Sequence, residues 1–141
     1  MSRLAILKLG AALALALCLS GCENSARIEI SHSGGDLARG NLVFNVKKSR
    51  WWTSGRPCFY KIDVIRPSAS QLDDQWNISS GMRCVPLNRV VCGVLPEGFQ
   101  TDVPAKTIVD GEAYTIIAHG DGWLGEARFK RQGDAYVAID K

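Results

Sequence analysis

The chain is 141 residues long, and its 17 Lys and Arg against 14 Asp and Glu give a formal charge of +3 at neutral pH. That near balance provides no electrostatic footprint for nucleic acid, and the length suits one hydrophobic core with little room for a second.

In chain order, the first element is a short basic start, Arg3 and Lys8, followed by an uncharged run over residues 9–19 that ends in Leu19-Ser20-Gly21-Cys22. This is the layout of a secretory signal. The run is shorter than the ~20 apolar residues a spanning helix needs. The next three residues, Glu23-Asn24-Ser25, are polar and lack a basic stop-transfer flank.

The box Leu19-Ser20-Gly21-Cys22 resembles the processing site of bacterial lipoproteins. The resemblance implies a signal peptide over residues 1–21, a lipidated Cys22 as first residue of the mature chain, a tether over residues 22–26 and a domain over residues 27–141. Two or three acyl chains on one cysteine anchor far more firmly than a single chain does. Glu23, where an aspartate would imply retention in the inner membrane, implies the periplasmic face of the outer membrane. Removing the signal takes two of the 17 basic residues and leaves a net charge of +1.

The bacterial envelope is oxidising and permits disulfides. With Cys18 discarded and Cys22 lipidated, Cys58, Cys84 and Cys92 remain. Cys92 sits in the apolar run Val90-Val91-Cys92-Gly93-Val94-Leu95, where a thiol serves as a small buried group. A Cys58–Cys84 bridge is therefore favoured. Cys84 with Cys92, across a hairpin turning at Pro86-Leu87-Asn88, is the alternative, because connectivity does not follow from sequence. Neither a close cysteine pair nor paired histidines provide zinc spacing, and no motif calls for a cofactor.

Beyond residue 26 the apolar residues alternate with period two. Leu42, Phe44 and Val46 interleave with Asn41, Asn45 and Lys47; Tyr60, Ile62 and Val64 interleave with Lys61, Asp63 and Ile65. Further strands are expected over residues 27–30, 75–78, 89–95, 113–119, 123–130 and 135–140. Gly- and Asp-rich turns such as Asp110-Gly111, Gly120-Asp121-Gly122 and Gly133-Asp134 punctuate them, so the last three strands read as a meander. The expected fold is all-β: a single antiparallel β-sandwich of about seven or eight short strands. Trp76 and Trp123 read as core aromatics.

Asp110-Gly111-Glu112-Ala113-Tyr114 leads into a late strand. The arrangement resembles the corner tyrosine of immunoglobulin-like sandwiches, whose hydroxyl ties back to nearby backbone; the plainer reading makes Tyr114 an ordinary strand residue. The stretch from Val94-Leu95-Pro96-Glu97-Gly98-Phe99 through Tyr114 to Ala127-Arg128-Phe129 resembles short proteobacterial lipoproteins with an immunoglobulin-like or transthyretin-like domain. That resemblance implies the fold and carries over no chemistry.

The candidate binding loop is Lys47-Lys48-Ser49-Arg50-Trp51-Trp52-Thr53-Ser54-Gly55-Arg56. Lys47, Lys48, Arg50 and Arg56 suit phosphates and anionic sugars, while Trp51 and Trp52 suit a sugar face or a membrane interface. The plain alternative is a solvated basic hairpin loop with one Trp folded onto the core. His32 and His119 lie in no nucleophile or metal motif, and the adjacent Asp73 and Asp74 do not make a paired-carboxylate site by adjacency alone. The reading is a noncatalytic, membrane-anchored envelope module that binds an envelope protein or polymer. The alternative is an inhibitor or immunity-type lipoprotein that blocks a hydrolase or toxin. Neither the ligand nor the oligomeric state follows from the sequence.

Overall fold

A computed structural model describes residues 24–32, 42–50, 55–67 and 72–139. Residues 1–23, and with them the expected signal peptide and Cys22, lie outside the described residues, as do Trp51 and Trp52. The strands are β1 (Asn24–His32), β2 (Leu42–Lys48), β3 (Cys58–Phe59), β4 (Lys61–Pro67), β5 (Leu72–Ser79), β6 (Val85–Pro86), β7 (Arg89–Val91), β8 (Gln100–Val103), β9 (Ala113–His119), β10 (Trp123–Gln132) and β11 (Ala135–Ala138). Among the described residues there is no helix.

Eight of these strands form one path, β7-β2-β1-β10-β9-β4-β5-β8, with β11 added on β10; β3 and β6 make a separate two-stranded ladder. The fold is all-β and sandwich-like, built as one curled sheet. Two features differ from the expected fold. The ladder between β1 and β10 is parallel, Asn24 to Trp123 through Arg27 to Glu126, so the sheet is mixed. The strand count is also higher, because β3 and β6 are two residues each and too short for any periodicity to register, and β8 is mostly exposed.

The N-terminal boundary moves as well. β1 begins at Asn24, inside the expected tether, because the Asn24 N–H donates to the Gly122 carbonyl at 2.8 Å and the next residues pair with β10. The predicted strand over 89–95 stops at Val91, where the Val94 N–H turns back to the Val91 carbonyl and Gly93 takes a φ of +79°.

One edge of β10 is divided. β9 covers one side along Leu124 to Arg128, while β1 takes the first half of the other side and β11 the second half, Phe129 to Gln132. β9, β10 and β11 form the expected meander.

A single cluster gathers Ile28, Phe44, Phe59, Ile62, Val64, Trp76, Ile78, Tyr114, Ile116, Trp123, Phe129 and Tyr136, from β1, β2, β4, β5, β9 and β10 of the path together with β3 and β11. Only a curled sheet lets its inner face meet itself in this way. Phe129 is the hub: Phe44 meets its ring edge-on at 5.6 Å, and Tyr114 stacks on it at 5.7 Å. Both Trp76 and Trp123 are buried, as expected of core aromatics. The Tyr114 hydroxyl accepts a hydrogen bond from the Val109 N–H at 2.9 Å, which is the corner bond.

Candidate functional site

The sequence pointed to the segment from Lys47 to Arg56, and the structure divides it. Lys47 and Lys48 are not loop residues. They finish β2, held in the ladder by pairing with Arg27 and Ala26. The Lys47 ammonium lies 2.7 Å from Glu29 Oε2, and that bond first, with the charge of Arg27 added, holds the Glu29 carboxyl below its ordinary range. Lys47 is thus occupied by a strand neighbour. Ser49 continues the edge: its N–H and hydroxyl both donate to the Ser25 carbonyl. Lys48, Arg50 and Arg56 are exposed.

Just beyond Arg56 lies the disulfide. Cys58 and Cys84 are bonded, with Cα atoms 5.2 Å apart and a sequence separation of 26, and Cys92 is free and buried. Burial pushes the Cys92 thiol up to about 12, so it behaves as an apolar filler. The Asp121 N–H donates to Cys84 Sγ at 3.3 Å, binding the β9–β10 turn to the bridge. Gly120 is pressed against the same place: a Cβ there would sit 1.8 Å from the Cys58 carbonyl oxygen.

Two polar groupings belong to no sequence motif. On the face of the sheet away from the core, Asp63 is buried, with Lys61 Nζ 3.3 Å and His119 Nε2 3.6 Å from its Oδ2. Its cross-strand neighbour Asn77 is also buried, and the Asn77 Oδ1 atom has no hydrogen-bond partner. The signal in the sequence was Lys61-x-Asp63, two residues on the same face of a strand.

At the opposite end of the strands, Arg66 bridges Asp73 at 2.8 Å and Glu112 at 2.9 Å, and Lys106 reaches the other Asp73 oxygen at 3.1 Å. Lys106 first, then Arg66, holds the Asp73 carboxyl below its ordinary value; Glu112 and Asp73 raise Arg66. Asp73 and Asp74 therefore do not act as a pair. Asp73 is tied into this network, while Asp74 is exposed. Arg66, Pro67, Glu112, Ala113 and Arg128 line an open depression beside it. Among the described residues, no three His, Cys, Asp or Glu side chains come together as a metal set.

Compared with protein-family models, with curated proteins and with solved structures, the chain shows no match to any of them.

Proposed function

We propose that the chain is a membrane-anchored envelope lipoprotein, held by Cys22, whose curled β-sheet domain is a noncatalytic binding or structural module at the periplasmic face of the outer membrane. The observation that carries this is the order of residues at the N-terminus. Leu19-Ser20-Gly21-Cys22 closes a short apolar run, and β1 begins at Asn24, two residues past the cysteine. A stably folded domain starting directly at a lipidated residue supports a fixed platform rather than a diffusing enzyme. The partner is an envelope protein or polymer.

The anchor is tested by acyl labelling of the full chain in a bacterial host that processes lipoproteins. Label is expected on the native chain and absent from Cys22→Ala, which should accumulate as unprocessed or soluble protein; equal labelling of both removes the anchor from Cys22. The binding role is tested by in-cell crosslinking of the lipidated protein beside a variant with Lys48, Arg50, Trp51, Trp52 and Arg56 changed to Ser. Partners lost only from the variant assign recognition to that segment. Partners retained in both assign it elsewhere on the sheet.

A further inference from the structure

The strand ladders place a defined set of residues at one end of the sheet. Asn24 pairs with Trp123, Leu124 with His119, His119 with Lys61, Lys61 with Ser79 and Ser79 with Gln100, while Lys48 sits opposite Ala26 at the bottom of β2. The first residue of β1 therefore shares an end with the close of β5 and with the turn after it. That turn is Ser80-Gly81-Met82-Arg83-Cys84.

Met82 is the observation that stands out. Its side chain is fully exposed, more so than any other large apolar side chain among the described residues, Leu72 included. The turn holding it is pinned, because the Ser80 N–H donates to the Tyr60 carbonyl, the Ser80 hydroxyl donates to the Arg83 carbonyl and Cys84 is bonded to Cys58. The bridge also brings together the two segments that carry the exposed Arg56 and Arg83. Asp121 and Glu97 are the exposed acids nearby in the adjoining turns.

An exposed apolar tip beside guanidinium groups is the chemistry of a membrane interface, where the apolar side chain enters and the cations meet phosphates. Length decides whether it can reach. Two residue steps separate Cys22 from Asn24, and at about 3.5 Å per extended residue they span ~7 Å. The headgroup layer of one leaflet is about 5–8 Å thick. A sheet tethered this closely has its Asn24 end at the headgroups.

We propose that the strand-end surface bearing Asn24, Arg56, Met82 and Arg83 docks on the phospholipid headgroups of the membrane that holds the Cys22 acyl chains, with Met82 as the inserted side chain. This rests on the proposed lipidation of Cys22. The opposite end, with Leu72 and the Arg66–Asp73–Glu112 network, then faces away from the bilayer.

The test uses the full lipidated chain, reconstituted in vesicles of phosphatidylethanolamine and phosphatidylglycerol. Met82→Cys and, separately, Leu72→Cys carry an environment-sensitive fluorophore; Leu72 is the exposed control at the far end of β5. The expected result is a blue shift and loss of aqueous quenching at position 82 with neither change at position 72. Exchanging Arg56 and Arg83 for Ser should weaken the shift at position 82 while the acyl label is retained. An acylated protein unshifted at position 82, or shifted equally at both positions, overturns the docking and leaves the anchor standing. A shift unaltered by the double Arg exchange overturns the part assigned to the guanidinium groups. A chain without acyl label overturns the anchor and the docking together.

Discussion

The Tyr114 hydroxyl and the Val109 N–H lie 2.9 Å apart, and their hydrogen bond fastens the loop before β9 to the ring that stacks on Phe129. Tyr114→Phe keeps the ring and removes the acceptor, leaving a partly covered N–H to water. The expected loss of stability is about 1 kcal/mol, against ~3–5 kcal/mol for Tyr114→Ala, which also empties the core. Urea titration of the two variants separates the hydrogen bond from the packing; equal losses would assign the whole effect to the hydrogen bond.

Gly120 is required by space. A Cβ at this position would overlap the Cys58 carbonyl oxygen at 1.8 Å and crowd Trp123 at 3.1 Å, and both of those neighbours are fixed by the disulfide and the core. Gly120→Ala is expected to cost ~3 kcal/mol or more by forcing backbone apart. Gly122→Ala meets no atom within 4 Å and is strained only by its φ of +71°, so it should cost about 1 kcal/mol. Thermal unfolding of the pair checks the order, and a milder effect at position 120 than at 122 would contradict the close approach.

The cysteines are expected to behave oppositely. Opening the Cys58–Cys84 bridge by Ser substitution should cost about 3.5 kcal/mol for a loop closed over 26 residues. Cys92, buried and raised to about 12, should resist alkylation at neutral pH in the native protein and react once denaturant is added. The raised thiol stabilises the fold below its ordinary value of 9.0, and that contribution disappears as pH rises from there toward 12. Cys92→Ala should therefore flatten the stability profile across that window.

Asp73 titrates in the other direction. Its carboxyl is held below the usual 3.8 by Lys106 and Arg66, so its contribution is present above that value and is lost as pH falls through the lower native one. Lys106→Ala is expected to move the Asp73 titration upward, read by carboxyl-carbon NMR. An unmoved titration would show that Arg66 and Gln75 set it without Lys106.

Much of this fold was legible because the inner face alternates cleanly. Residues 113–119 were expected as a strand and form β9 over the same span, and the apolar set Leu42, Phe44 and Val46 faces the core as the alternation requires. The disulfide was legible for a similar reason: Cys92 stands in an apolar run and the other two cysteines do not. β8 escaped because three of its four residues are exposed, leaving no apolar signal. The parallel pairing of β1 with β10 escaped because alternation reports which way a side chain faces and says nothing about which distant strand lies alongside.

The candidate site was less legible because charge runs carry no record of their partners. Lys47 looked like part of a basic loop, yet Glu29 on the neighbouring strand takes it up. Asp63 looked solvent-facing by alternation, yet it is buried, because β4 lies between β9 and β5 and its outer side chains are shielded from both sides.

The position of β1 governs how the domain can be assembled. In the path β7-β2-β1-β10-β9-β4-β5-β8, it is the sole strand joining the β2–β7 pair to the remainder, and its partner β10 is nearly the last strand in the chain. A chain emerging from its N-terminus therefore has β1 and its neighbour β2 early, yet has nothing to join that pair to the remainder until Trp123 and the residues after it arrive. Such a polypeptide carries the two parts of its sheet unjoined through most of its synthesis, and β10 locks them together in one late step.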